Sequence, residues 1–422
     1  MSSQLTIGTQ NRSTLPGLEL LRALACLEVL LLHLPWQNTR SLILVHWLIG
    51  GWGEQAVIVF FVLSGFVISL SQERNKRSFA GFMRARFRRL LPLYLVALMI
   101  TVPLEIWLHP ETRIFDATLL HLAFLQYGDY KFQSNIPLWS LSYEFYFYLL
   151  FALTMGRWQI PLRLIWFLLG LGAVAASSLG ILFPGFLGHL DGILAYSPIW
   201  LLGSVLIYEP KLLHFDLKQS LVLLGLVPLL ANLPPIPGMP GSGALASLLT
   251  GFLVAPLVCY LARLPRESSS SRPAILWASI AGLYLLLAAF FLLTASWGNS
   301  HIIKLISVAF APAFFFVPTV YRFLFRNRPF FNPFITALSL TMGKLSYAVY
   351  IIHWPLLILA TALISNVSLR LAIVLPIILG FAWFMEFYLQ PWMEAWFDTI
   401  WPLAPKTRKQ EAVPLPSPVA GN

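Results

Sequence analysis

Twelve stretches of this chain are apolar for long enough to cross about 30 Å of hydrocarbon at 1.5 Å per helical residue, and that recurrence leaves few folds open. They fall at 18–36, 54–72, 89–108, 138–155, 162–182, 191–208, 219–232, 242–262, 273–294, 301–321, 344–364 and 370–390, with 219–232 the shortest. In lipid, backbone polar groups have to be satisfied within the segment, so stretches of this length fold as helices. The expected fold is all-α, a polytopic transmembrane helical bundle of about 10–12 spans. Only 11% of the 422 residues are charged, against roughly 25% in soluble domains. The stretch 117–127 is too short to cross and reads as interfacial or re-entrant.

Basic residues set the orientation. With the N-terminus inside, 22 Lys and Arg fall in the inside segments, seven of them in the loop 73–89. Five fall outside, and Arg22 lies within a span. The positive-inside rule then places both termini in the cytoplasm, in a multi-pass protein of the cell (inner or plasma) membrane. The same distribution accounts for the net charge of +11 without invoking nucleic acid. Cys26 and Cys259 both lie in apolar stretches, which argues against a disulfide framework or a metal site. The chain divides into a cytoplasmic N-terminal segment 1–17, a membrane domain 18–392 and a Pro-rich, disordered cytoplasmic tail 393–422.

The chemistry is sought among ionisable residues inside the spans, because each costs about 2.5–3.5 kcal/mol to insert. The first span holds Glu19, Arg22, Glu28 and His33. Eleven positions at 100° return almost to the starting angle, so Arg22 and His33 share one helix face about 16 Å apart. Glu19, one turn from Arg22, can neutralise it. A neutral His33 in a dry site suits removal of a proton from an attacking hydroxyl. The plainer alternative is a structural histidine bonded to a neighbouring helix.

Four further patterns stand out. Arg86 and Arg89, in the loop leading into the third span, share a face and present guanidinium forks suited to phosphate. The positive-inside rule alone also accounts for most such arginines. At the outer end of the fourth span, Ser140 and Glu144 align, and an intramembrane carboxylate needs a partner such as an imidazole or an acceptor hydroxyl. Trp139 beside them reads as an interfacial belt residue. Ser346, Tyr350 and His353 form a polar stripe that interhelical hydrogen bonds explain as well as substrate binding does. Ser64 and Gly65 in the second span read mainly as small residues permitting close helix packing.

Taken in order, these stretches resemble the acyltransferase 3 family of membrane O-acyltransferases. Leu18-Glu19-Leu-Leu-Arg22, with His33 after ten intervening residues, is similar to the first-helix pattern of that family. Phe60-Phe-Val-Leu-Ser64-Gly65-Phe66 is similar to its second-span signature. Arg86-x-x-Arg89-Leu-x-Pro92, Trp139-Ser-Leu-x-x-Glu144 and Ser346-Tyr-x-x-Tyr350-x-x-His353 resemble three further patterns. The resemblance implies transfer of an acyl group, often acetyl, from cytoplasmic acyl-CoA to a hydroxyl of a carbohydrate, glycolipid or similar acceptor. No tightly bound cofactor is implied; acyl-CoA is a co-substrate, and membrane lipids surround the site. By that analogy His33 is the base and Arg22 its essential partner. Arg86 and Arg89 would hold the coenzyme A phosphates, while Glu144, Ser346, Tyr350 and His353 shape the acceptor side, supported by Glu19, Ser64, Trp139 and Ser140.

Buried ionisable residues would equally serve a secondary transporter or flippase as a proton or substrate path. Against that alternative, the sequence has no internal repeat and few Gly/Pro-broken spans in matching positions.

Overall fold

Prolines, small polar caps and glycines decide where the apolar stretches begin and end as helices. In the computed structural model, α1 (Pro16–His33) starts with Pro16 in its first turn, where the missing N–H costs nothing, and carries Glu19 at its positive end. The described residues are 15–34, 53–154, 159–179, 181, 185–208, 215–231, 242–262, parts of 278–288 and 312–320, and 332–402. The next long helix is α2 (Gly53–Asn75). The Ser78 hydroxyl accepts from the Gly81 N–H and opens α3 (Phe79–Leu108). There follow the short α4 (Ile114–Leu122), two 3₁₀ turns (Gly128–Tyr130 and Gln133–Leu138) and α5 (Trp139–Leu153).

Helices α6 (Gln159–Ser178) and α7 (Gly185–Tyr208) come next. The pair α8 (Leu217–Leu224) and α9 (Val227–Ala231) leads to α10 (Ser242–Leu261). Asn332 caps α11 (Pro333–Leu363), and Asn366 caps α12 (Val367–Phe384). A π turn (Met385–Leu389) joins α12 to α13 (Gln390–Ile400). Every regular element among the described residues is helical. Among the described residues, seven helical stretches are long and apolar enough to cross a membrane: 53–75, 79–108, 133–153, 186–207, 243–261, 333–363 and 367–400. Helix α1 stands apart through its charged residues Glu19, Arg22 and Glu28.

Several boundaries differ from the expected ones. The third span begins ten residues early, at Phe79 rather than 89, so Arg84 to Arg89 lie on a helix and not in a loop. The Ser78 cap and a run of good helix formers carry the helix past its apolar part. The stretch 219–232 is no single span: it breaks after Leu224, where Gly225 caps α8. The expected domain end at 392 falls inside α13, which continues to Ile400. The spans expected at 273–294 and 301–321 lie largely outside the described residues, as does the tail from 403 on.

Two helix contacts fix the frame of the site. Helix α1 runs parallel to α11, with Glu19 against Gly343, the Cys26 thiol donating to the Ser346 carbonyl (3.2 Å) and His33 against His353. Helix α2 packs against α7 through interlocking glycines. A Cβ on Gly65 would overlap the Trp200 carbonyl oxygen, and one on Gly203 would overlap that of Val62. Ser69 donates to Ser204 across the same contact at 2.7 Å. Such close approach of small residues is how helices associate where lipid supplies no hydrophobic driving force.

The segment before α5 is pinned by a buried acid. Glu105 accepts the backbone N–H groups of Gln133 (3.2 Å) and Ser134 (2.8 Å) and the Thr112 hydroxyl (2.9 Å). Asn135 donates to Thr101 (3.0 Å) and to the Ile351 carbonyl of α11 (3.1 Å). These charge-assisted and buried bonds hold the start of α5, and with it Ser140 and Glu144, against α3 and α11.

Candidate active site

Between α1, α2, α3, α5 and α11 lies a cavity of about 270 Å³. Arg22, Arg86 and Arg89 provide its cations, Glu144 its carboxylate, and Ser64, Ser140, Tyr148, Ser346, Tyr347 and Tyr350 its hydroxyls. The structure thus brings eight sequence-predicted residues to one space: Arg22, Ser64, Arg86, Arg89, Ser140, Glu144, Ser346 and Tyr350.

One end of the cavity is cationic. Arg22 Nη1 binds both carboxylate oxygens of Glu19, at 2.8 and 3.0 Å, one turn away on α1. Arg89 pairs with Glu386 at 2.8 Å and lies over the Tyr347 ring. Arg86 lies over the rings of Phe82 and Tyr148, and its buried Nε has no hydrogen-bond partner among the described residues. The neighbouring arginines turn the other way. Arg84 binds Asp398 (2.6 Å) and the Trp401 carbonyl (2.6 Å), while Arg88 binds Glu394 (2.7 Å) and Asp398 (3.1 Å). Helical geometry separates the two pairs: 84 and 88 share one face toward α13, 86 and 89 the face toward the cavity.

Glu144 sits at the middle. It accepts from Ser64 Oγ at 2.6 Å and from the Tyr148 hydroxyl, while Trp200 Nε1 donates to Ser64 Oγ at 3.2 Å. Ser64 therefore does more than allow packing, since it orients the carboxylate; Gly65 alone makes the close approach. Trp139, read as a belt residue, also makes ring contacts within the protein. It is half-buried and packs edge-on against Phe61 and Tyr143, because the Glu105-anchored turn brings it inside the bundle.

The far end is closed by a hydroxyl pair. Ser140 Oγ and the Tyr350 hydroxyl lie 2.6 Å apart, and the Tyr350 hydroxyl donates to the Pro137 carbonyl at 3.1 Å. One turn further along α11 is His353, its ring 5.9 Å from that of Tyr350. His33 Nδ1 lies 2.9 Å from His353 Nε2, and Trp354 meets the His33 ring edge-on at 4.7 Å. Neither histidine lines the cavity: the pair lies beyond Tyr350, with His353 fully buried and His33 partly exposed.

Sequence reasoning passed over Glu386, Tyr148, Trp200 and Trp354. An acid inside the apolar stretch 370–390 was a visible signal for Glu386. Tyr148, four residues after Glu144, was visible as a helical neighbour.

A family profile described as an acyltransferase domain matches residues 15–387. The chain belongs to the acyltransferase 3 family. Among curated relatives, a Streptomyces mycarofaciens acyltransferase, MdmB, is 36% identical over 167 residues, covering 36% of this chain and 42% of that protein. The Listeria monocytogenes peptidoglycan O-acetyltransferase OatA is 31% identical over 199 residues, covering 42% of this chain and 30% of its own length. The Staphylococcus aureus O-acetyltransferase OatA is 31% identical over 159 residues, 33% of this chain and 24% of that protein. The matches thus span less than half the length of these relatives. No solved structure matches.

Proposed function

We propose that this family member is a membrane O-acyltransferase that moves an acyl group, with acetyl as the group to test first, from cytoplasmic acyl-CoA to a hydroxylated carbohydrate, glycolipid or similar acceptor. The observation that carries the reading is the polarity of the cavity: three arginines at one end, with the Arg86 Nε lacking a partner among the described residues, and a histidine pair beyond the other. Acetylation and a carbohydrate acceptor come from the names of the OatA relatives. The phosphates of coenzyme A suit Arg86 and Arg89, with the thioester arm extending past Arg22 and Glu144 toward Tyr350.

In the reaction, His33 takes the proton of the acceptor hydroxyl as its oxygen attacks the thioester carbonyl carbon. The carbon–sulfur bond then breaks, and the thiolate leaves with that proton as CoA–SH. Keeping water out of the cavity during transfer would limit wasteful thioester hydrolysis. The positive-inside bias puts the arginine end toward the cytoplasm, where acyl-CoA is found, and both termini with it.

The test is incorporation of label from radiolabelled acetyl-CoA into the glycan and lipid fractions of membranes carrying the protein. Wild type is expected to incorporate label, and His33→Ala to fall to background at unchanged membrane yield. His33→Gln, which keeps much of the packing, is expected to be equally inactive. Full transfer by His33→Ala would overturn the assignment.

A further inference from the structure

His353 faces His33 from a helix 320 residues away in the chain, and its second nitrogen shows which way the protons lie. His353 Nδ1 is 2.7 Å from the Tyr350 carbonyl and 3.2 Å from the Val349 carbonyl. Carbonyl oxygens only accept, so a bare nitrogen lone pair at 2.7 Å would repel them, and Nδ1 therefore carries the hydrogen. A doubly protonated ring would be a fully buried cation with no carboxylate among its described contacts. The neutral ring with hydrogen on Nδ1 leaves His353 Nε2 as an acceptor.

That acceptor faces His33 Nδ1 at 2.9 Å, so His33 Nδ1 is the donor. In neutral His33 the lone pair then belongs to Nε2. From this chain of donors and acceptors, and resting on the reading of His33 as the base, we infer that His353 is a positioning residue that fixes the His33 tautomer and so directs Nε2 at the acceptor hydroxyl.

This role differs from a place on the acceptor side. Two backbone carbonyls of α11 orient His353, and His353 orients His33, in the arrangement that a base and its orienting partner take in nucleophilic catalysis. When His33 Nε2 takes the acceptor proton, the charge that forms on the ring is shared through Nδ1–H with His353 Nε2. No proton has to leave His353 for this. Trp354 braces the other side of the His33 ring and is itself held by a 2.9 Å bond from its Nε1 to the Gln133 carbonyl. The base is thereby held by hydrogen bond and by packing, each from α11.

Three variants, assayed as full-length protein with acetyl-CoA and the labelled membrane fraction as acceptor, test the inference. His353→Leu removes the acceptor while filling the space; kcat is expected to fall at least about 100-fold with KM for acetyl-CoA unchanged. His353→Gln places an amide oxygen near the Nε2 position and is expected to recover at least about tenfold over the leucine variant. The double variant His33→Ala/His353→Leu is expected to be no slower than His33→Ala, since His353 acts only through His33.

Wild-type kcat in His353→Leu, no gain from His353→Gln, or a double variant slower than His33→Ala would each overturn the role. Should the leucine variant not insert, His353→Met takes its place in the same comparison. Transfer surviving His33→Ala would defeat the base assignment itself; loss in His33→Ala beside full kcat in His353→Leu would defeat only the positioning role.

Discussion

Four arginines within six residues of α3 divide between two faces, and the division sets opposite expectations for removing each. Arg86 is the decisive one. It lines the cavity, its neighbours are aromatic rings, and its Nε has no partner among the described residues. Replacing it by glutamine should therefore remove the whole of a charge-assisted contact to a bound phosphate, about 1.5–3 kcal/mol. That corresponds to a roughly 10- to 150-fold rise in Kd. Arg89 already holds Glu386 at 2.8 Å with 41% of its side chain exposed, so a ligand phosphate has to share or displace that pair. Arg89→Gln should cost the smaller amount, about 1 kcal/mol, or roughly fivefold in Kd.

Arg84→Gln and Arg88→Gln should leave Kd unchanged and instead loosen α13, because their contacts are with Asp398, Glu394 and the Trp401 carbonyl. The assay is equilibrium binding of radiolabelled acetyl-CoA to the purified protein in detergent, with thermal unfolding of each variant beside it. Equal weakening by Arg84→Gln and Arg86→Gln would refute the division into a ligand face and a structural face. So would an unchanged Kd in Arg86→Gln.

Two further outcomes follow from packing. Gly65→Ala should lower the thermal midpoint in detergent by several degrees, since its Cβ meets the Trp200 backbone and overpacking costs about 1–3 kcal/mol; an unchanged midpoint would contradict the close approach of α2 and α7. Ser140→Ala frees the Tyr350 hydroxyl from its 2.6 Å partner and should raise release of free CoA from acetyl-CoA without acceptor, measured by thiol titration, whereas a wild-type rate would show that the pair does not close the cavity.

How much of this was legible beforehand depends on the range of each interaction. The apolar stretches marked most of the long helices, because a 30 Å slab demands about twenty such residues. Their ends were less legible: Ser78 and Asn332 start helices about ten residues before the expected spans begin, and after Ser78 those turns carry the arginines that made them look like loop. Helical periodicity placed Arg22 and His33 on one face, with Glu19 one turn from Arg22, and both Glu19 and His33 meet α11. It also placed Arg86 and Arg89 together. What it could not supply was which partners lie opposite. Glu386 on Arg89, Trp200 on Ser64 and His353 on His33 come from helices distant in the chain. A single sequence carries no signal for those pairings beyond the presence of a polar residue in lipid.

On the proposed reading, a cavity that ends at Tyr350 with the histidines one turn further on would separate binding from chemistry. An acyl thioester lying along Arg22 and Glu144 reaches the hydroxyl pair first and His33 only past it. The hydrogen bonds that hold Tyr350 are one to Ser140 and one to the Pro137 carbonyl, and both partners sit on the segment anchored by Glu105. Tyr350 thus stands between the cavity and the histidine pair, so an acyl group in the cavity reaches His33 only past that side chain. Enzymes gain from such gating because the reactive thioester meets the base only when the site is assembled. In this arrangement Glu105, bonded to two backbone N–H groups, anchors the segment that carries both partners of Tyr350.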